Sequence, residues 1–348
     1  MPVAIFGDRS CGKTIFLSLL YESQVRYTNS RENSGPGEFR FTTDPSFTSI
    51  FGNHRTNLMK GQWADATLKG NMAKYKFKYG YRRFFAVGEK ASSRFDIMDF
   101  TVYDIAGEDL DILRSIEQYR ESISTGTYKG EFNFDSLSTS FQELLKCNVL
   151  VFLIDLSKIN AEARSERFIE MRNYDVFMAT LISAVSKYKS QVYDKDEDKA
   201  KIYPVFVLTK FDLLDKEIIK ANGWPDTFDD LGNDERGLRA MLKKKADFTK
   251  EDYAKEILMK YYKDTMALSK GAAIANVSFD RSAYFFSEIH TEQNEDGEVI
   301  PRLRTEKGSH ELDYSYDEYK GFIDRFREIA HKMPDEVKED QEFRGVKG

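Results

Sequence analysis

The sequence predicts an α/β protein of three layers, a mainly parallel sheet between two layers of helices. Apolar runs of buried-strand type recur at 3–6, 148–155, 203–208 and 283–289, and long stretches with helical periodicity separate them, as parallel strands require. The first of these runs passes through a glycine-bounded loop straight into a helix-like segment, and a motif follows most of the other strands.

The first element is the run "VAIF" at 3–6, and Ile15 opens an apolar stretch free of glycine and proline up to Val25, so the order is strand, loop, helix. The loop "GDRSCGKT" comprises Gly7, Asp8, Arg9, Ser10, Cys11, Gly12, Lys13 and Thr14, and it fits G-x-x-x-x-G-K-[ST]. In that pattern backbone N–H groups wrap the α and β phosphates of a nucleotide, Lys13 reaches the β and γ phosphates, and Thr14 ligates Mg²⁺. Gly7 and Gly12 permit a close backbone approach that a side chain would block.

A second strand, at 95–103 in "FDIMDFTVYDIAGED", alternates apolar and polar residues and ends on Asp104, with Gly107 three residues on. A carboxylate there can hold Mg²⁺ through a water, and the Gly107 amide can sense a γ-phosphate. The strand at 203–208 leads into Thr209-Lys210-Phe211-Asp212. Asp212 can accept from N1–H and the exocyclic amine of guanine, a donor pair that adenine lacks, while the Lys210 stem covers the base. Ser287, followed by Glu288, closes the last apolar strand, where a backbone N–H would reach the guanine oxygen; a serine that merely ends the strand is the alternative.

"GDRSCGKT", "DIAGE" and "TKFD", in this order at successive strand ends, resemble the signature of P-loop GTPases of the translation-factor and Ras-like (TRAFAC) class. The resemblance spans residues 2 to about 290 and implies a P-loop NTPase fold. The expected sheet is mainly parallel and six-stranded, in the Ras-like order 2-3-1-4-5-6, and the expected activity is Mg²⁺-GTP binding with a switch between GTP and GDP states. Two residues depart from the pattern. Thr209 stands where most members carry asparagine, and Glu108 stands where Ras-like members carry the water-positioning glutamine; a glutamate orients water only as an acceptor.

About seventy residues separate the first helix from the "DIAGE" strand, more than a compact connection needs. The switch threonine falls here, with Thr42, Thr43, Thr48, Thr56 and Thr67 as candidates. Thr67 is selected because "GQWADATLKG" immediately precedes the alternating stretch "MAKYKFKYGYRRFFAV". "GQWADAT" is similar to a tryptophan-and-threonine switch motif of the bacterial double-GTPase group, with Ala64 where that group has proline; Trp63 also reads as an anchor that packs the loop on the core. Period-two alternation places Tyr75, Phe77 and Tyr79 on one face and Lys74, Lys76 and Lys78 on the other. Such lysines suit a sheet edge, in preference to a single-strand nucleic-acid platform. "EKASS" at 89–93 reads as the turn into the next strand.

One elaborated domain is expected over 1–333, with insertions at about 27–71, 109–146 and 222–270, a hairpin at about 283–305 that extends the last strand, a closing helix at 316–332, and a polar tail over 334–348. "QVYDKDEDKAK" at 191–201 reads as a charged loop. Thr249 and Asp252 mark a helix start, and Lys243–Lys245 read as a solvated face or a patch for an acidic partner.

Composition bounds the reading. The chain has 348 residues, 41% hydrophobic and 14% aromatic, with a net charge of −6, which argues against a binder of nucleic acid that relies on bulk basicity. Two cysteines, one inside the loop, suggest a reducing, cytoplasmic setting and no disulfide framework. No apolar run reaches the roughly 18 residues of a membrane span, and neither a myristoylation signal nor a prenylation cysteine occurs, so no membrane anchor is expected.

The expected function is therefore a GTP-binding switch with slow hydrolysis. Lys13 neutralises charge on the phosphates, Thr14 and Thr67 ligate Mg²⁺, Asp104 holds its second shell, and Gly107 and Glu108 face the γ-phosphate. Arg9 beside them either assists in cis or obstructs an arginine finger. The expected partners are a protein effector or a partner GTPase, including a homo- or heterodimer. A non-hydrolysing GTP-dependent scaffold and an ATP-using P-loop enzyme are the alternatives.

Overall fold

A computed structural model of the chain describes residues 1–8, 10–29, 39–63, 73–87, 90–105, 110–124, 133–162, 164–214, 250–269, 274–279, 283–306, 309–333 and 337–339. The strands are β1 (Pro2–Gly7), β2 (Phe39–Thr43), β3 (Ala73–Val87), β4 (Lys90–Asp104), β5 (Val149–Asp155), β6 (Tyr203–Thr209), β7 (Tyr284–Ser287), β8 (Thr291–Gln293), β9 (Val299–Pro301), β10 (Leu303–Glu306), β11 (Ser309–Leu312) and β12 (Val337–Glu339). The helices are α1 (Lys13–Asn29), α2 (Pro45–Met59), α3 (Leu110–Ser124), α4 (Thr139–Leu145), α5 (Glu166–Val192), α6 (Glu197–Ala200), α7 (Lys250–Tyr261), α8 (Lys263–Leu268) and α9 (Tyr316–His331). None of the described helices is long and apolar enough to cross a membrane.

The central sheet runs β2-β3-β4-β1-β5-β6-β7, with β12 added against β4. The pairs β4–β1, β1–β5, β5–β6 and β6–β7 are parallel, whereas β2–β3, β3–β4 and β12–β4 are antiparallel. The stretch from β3 to β7 follows the expected order, but the sheet has eight strands among the described residues instead of six. The two additions have separate causes. β2 belongs to the excursion after α1 and covers the outer edge of β3. β12 pairs with β4 at 96–98, next to where Met1 sends its amino group to the Asp99 carbonyl. β3 is therefore not an edge. Tyr75, Phe77 and Tyr79 are buried and Lys74, Lys76 and Lys78 exposed, so the alternation holds while the edge role passes to β2.

β5 shows why the core strands are continuously apolar. Leu150, Phe152 and Ile154 face a core shared with α3, α4, α5 and α7, whereas Val149, Val151 and Leu153 face a core shared with α1, α2 and α9. α9 seals the second face with Tyr319, Phe322, Ile323, Phe326 and Ile329, all buried at helical spacing.

The excursion after α1 is built into this core. Asp44 caps α2, accepting from the Phe47 amide at 2.9 Å and, through its other oxygen, from the Lys76 amide of β3 at 2.7 Å. Burial raises the Asp44 carboxyl, but hydrogen bonds from Ser46, Lys76 and Phe47 outweigh it and hold the group below the usual range. Phe47 is fully buried against Tyr21, Phe51, Tyr75 and Phe77.

Three boundary expectations are corrected. Lys90 pairs with Val87 and Ser93 with Phe84, so most of "EKASS" lies in β4. The hairpin after β7 does not extend that strand: β8–β9 and β10–β11 are separate two-stranded ladders. In 191–201, α5 runs on to Val192 and α6 occupies 197–200, capped by Asp196. Thr249 and Lys243–Lys245 lie outside the described residues, as do most of the insertion at 222–270 and nearly all of the tail.

Phe47→Ala tests whether the excursion carries weight in the fold. Urea denaturation is expected to show a loss of about 3–5 kcal/mol, the range for removing a fully buried phenylalanine; a loss below about 1 kcal/mol would mean the excursion is detached from the core.

Candidate functional site

The parallel strands β4, β1, β5, β6 and β7 bring their carboxyl ends to one edge of the sheet, the usual position of a ligand crevice in such folds. The loop from β1 to α1 lies at its centre. Ser10 and Gly12 take left-handed backbone angles, φ 60° and 87°, and the Cys11 amide donates to the Asp8 carbonyl at 3.1 Å. The two glycines are required for different reasons. A Cβ on Gly7 would overlap Cys11 Sγ, whereas a Cβ on Gly12 would meet nothing within 4 Å, so there only the backbone angle demands glycine. Burial pushes the Cys11 thiol up to about 12 despite the nearby Lys13 ammonium, so the loop cysteine is a neutral packing group.

Each strand end contributes a carboxylate or a latch. Lys13 Nζ lies 2.8 Å from Asp104 Oδ1 at the end of β4 and donates to the Ile105 carbonyl, with both side chains buried. Lys158, after β5, is buried between Asp8 and Glu170, the latter at 2.6 Å. Burial alone would lower its pKa, but the two carboxylates hold it above the ordinary value. Asp155, at the end of β5, accepts from Lys210 Nζ at 2.8 Å and from the Ser157 amide and hydroxyl.

The residues after β6 close on the loop. Thr209 Oγ1, buried, lies 2.7 Å from the Cys11 carbonyl and 3.2 Å from that of Ile154. Lys210 takes a left-handed φ of 56°, and its Nζ donates to the Ser10 carbonyl at 2.6 Å while its amide donates to the Ser287 carbonyl at 3.1 Å. The threonine that stands in place of asparagine thus still ties this segment to the loop. Ser287 turns its hydroxyl to Tyr319, 2.6 Å away, and the Glu288 amide donates to Ser315 Oγ at 3.3 Å. Ser287 and Glu288, together with Cys11, Gly12, Thr209, Lys210 and Ile15 and Leu19 of α1, line a cavity of about 210 Å³. That volume is under the ~300–1,000 Å³ of ordinary ligand pockets and suits one ring system.

Among the described residues no group of three or more His, Cys, Asp or Glu side chains could hold a metal. A cation here would draw on hydroxyl, water and phosphate oxygens, the ligand set that Mg²⁺ accepts. Asp104 Oδ1 fits a role beside it, being buried and, apart from the Lys13 charge, without a hydrogen bond among the described residues. Thr14 stands in the first turn of α1.

The structure thus brings Gly7, Asp8, Ser10, Cys11, Gly12, Lys13, Thr14, Asp104, Thr209, Lys210, Ser287 and Glu288 to one edge. Arg9, Thr67, Gly107 and Glu108 lie outside the described residues, and so does the side chain of Asp212, whose backbone belongs to the short turn Phe211–Leu213. Thr48 and Thr56 sit within α2, where Thr48 shares a hydrogen bond with Thr43 and Thr56 donates to Gly52. Sequence reading missed Asp155 and Lys158. Their one signal was an aspartate closing an apolar strand in "FLIDLSK", the feature that singled out Asp104.

No protein-family model and no curated protein matches the chain. Among solved structures, the signal recognition particle receptor SRb-GTP/SRX complex from Chaetomium thermophilum is similar at 11% identity, over 82% of this chain and 90% of that one. Its TM-score of 0.29 is too low to carry an argument.

Both cysteines are free and buried, and burial pushes each thiol up to about 12, so both stay protonated and shielded at pH 8. A thiol reagent such as DTNB is expected to leave the native protein essentially unlabelled and to titrate both thiols after unfolding. Rapid labelling of one thiol in the native state would contradict the packing beneath Gly7.

Proposed function

We propose that the protein binds Mg²⁺-GTP and GDP and acts as a switch that hydrolyses GTP slowly. One observation carries this reading: Thr209 and Lys210 hold the carbonyls of Cys11 and Ser10, so a candidate base-reading segment and a candidate phosphate loop border a single cavity. A loop that bound phosphate for another purpose would not need that latch.

The chain's own groups divide the work. Backbone amides of the loop, exposed by the glycines, receive the phosphates, and Lys13 offers its ammonium to their charge in place of the Asp104 pairing. Asp104 is then released to order water around the cation, and Thr14 supplies a hydroxyl ligand. Mg²⁺, if bound, would be held by Thr14 and, through water, by Asp104, and would supply positive charge against the phosphates. Lys210 lays its stem along the base, and Asp212 is assigned to the guanine N1–H and amine. Hydrolysis is assigned a low rate because Glu108 can orient water only as an acceptor. The partner is proposed to be a protein, an effector or a second GTPase subunit, met through the excursions at 27–71 and 109–146. A cytoplasmic setting accords with the free thiols.

The test is a titration with fluorescent GDP and Mg²⁺, competed separately by GTP and ATP. Displacement by GTP at micromolar levels and not by ATP is expected, and Asp212→Asn is expected to weaken GTP binding by about 2 kcal/mol, since it leaves a donor pair unmatched. Equal competition by ATP would transfer the site to the ATP-using alternative, and no binding of either would remove the nucleotide reading.

A further inference from the structure

The cavity has a second wall that the loop and the base segment do not explain. Trp63, at the end of the excursion after α2, donates from its indole Nε1 to the Val299 carbonyl of β9 at 2.8 Å, across 236 positions of sequence. Trp63, Val299 and Thr291 line the cavity along with Lys210 and Leu213. Leu213, Trp63 and Val299 are 53%, 41% and 53% exposed, so three of the large exposed apolar side chains of the described residues rim this one opening.

The β8–β9 hairpin that carries Val299 and Thr291 is suited to move. Among the described residues its two strands pair only with each other, outside the central sheet, and Thr291–Gln293 is exposed throughout. A two-stranded hairpin has little stability of its own. Its stem is fixed by the mutual backbone hydrogen bonds of His290, Arg302 and Asp313, while among the described residues its ties nearer the tip include the Trp63 hydrogen bond and Ile300 beside Gly61, where a Cβ would lie 3.5 Å from the Ile300 side chain.

We propose that the β8–β9 hairpin is a gate across the base end of the nucleotide cavity and that the Trp63–Val299 hydrogen bond is its latch. With the latch closed, Trp63 and Val299 narrow the opening beside Lys210 and Leu213, where a flat, largely apolar ring would rest. Opening the latch widens the passage for both entry and release. The gate rests on the guanine-nucleotide reading given above and adds to it a control on exchange, exerted by a segment outside the central sheet.

Exchange kinetics test the gate on the full chain with fluorescent GDP and Mg²⁺. Trp63→Phe keeps a ring in place and removes only the donor. Because a gate limits traffic in both directions, association and release are each expected to rise about fivefold, the factor for one neutral hydrogen bond, while the equilibrium affinity stays within about twofold. Trp63→Ala removes wall and latch and is expected to accelerate release further and to weaken affinity. Release from Trp63→Phe within about twofold of wild type, or a fall in affinity with association unchanged, would overturn the gate. If wild-type protein bound no guanine nucleotide, the nucleotide reading would fall together with the gate. Binding with unaltered exchange in the variant would remove the gate alone.

Discussion

The carbonyl groups of the loop between β1 and α1 are the constraint on which the rest of this edge depends. Two residues of that loop, Ser10 and Gly12, take left-handed backbone angles just ahead of α1. The Ser10 and Cys11 carbonyls both find donors from a segment two strands away, Cys11 from Thr209 and Ser10 from Lys210. Lys210 can serve only by entering a left-handed conformation, which costs a lysine about 1 kcal/mol and is held by bonds at both its amide and its ammonium. The loop, β6 and β7 are thereby fixed to one another before any ligand is considered.

Charge reinforces that geometry. Lys13, Lys158 and Lys210 converge on the loop from three strand ends, and each is met by an aspartate, Asp104, Asp8 and Asp155 in turn. Pairing keeps a local concentration of cations tolerable in a chain whose net charge is −6. It also makes the arrangement exchangeable, because an anion that engages Lys13 frees Asp104 for another partner.

What could be read from the sequence was what is encoded locally. The glycine spacing of the loop, the aspartate at the end of β4, the threonine-lysine pair after β6 and the apolar period of α9 all occupy a few consecutive residues whose geometry the backbone dictates. Features made by distant segments were not legible. β2 is five residues long and becomes a strand because α2 and β3 support it, and β12 joins the sheet from near the far end of the chain. The period-two pattern of 74–79 showed which face is buried but not that another strand lay outside it. Trp63 reads from the sequence as an anchor on the core, but it is 41% exposed and its indole donates to a backbone carbonyl of β9, to which no side-chain pattern points. Asp155 and Lys158 belong to no local motif, and only distant segments give them their partners, Lys210 for Asp155 and Asp8 for Lys158.

The two loop glycines differ in a way that reaches beyond substitution by the natural amino acids. Gly7 lacks room for any β-carbon of the ordinary hand, whereas Gly12 has room and lacks only the right handedness. A D-alanine at position 12, introduced by chemical ligation, would sit at its own preferred backbone angle and fix the turn more rigidly than glycine does. Mirror-image chemistry therefore separates the entropy of this loop from its shape, leaving the peptide path unchanged while removing the freedom the loop has before a ligand orders it.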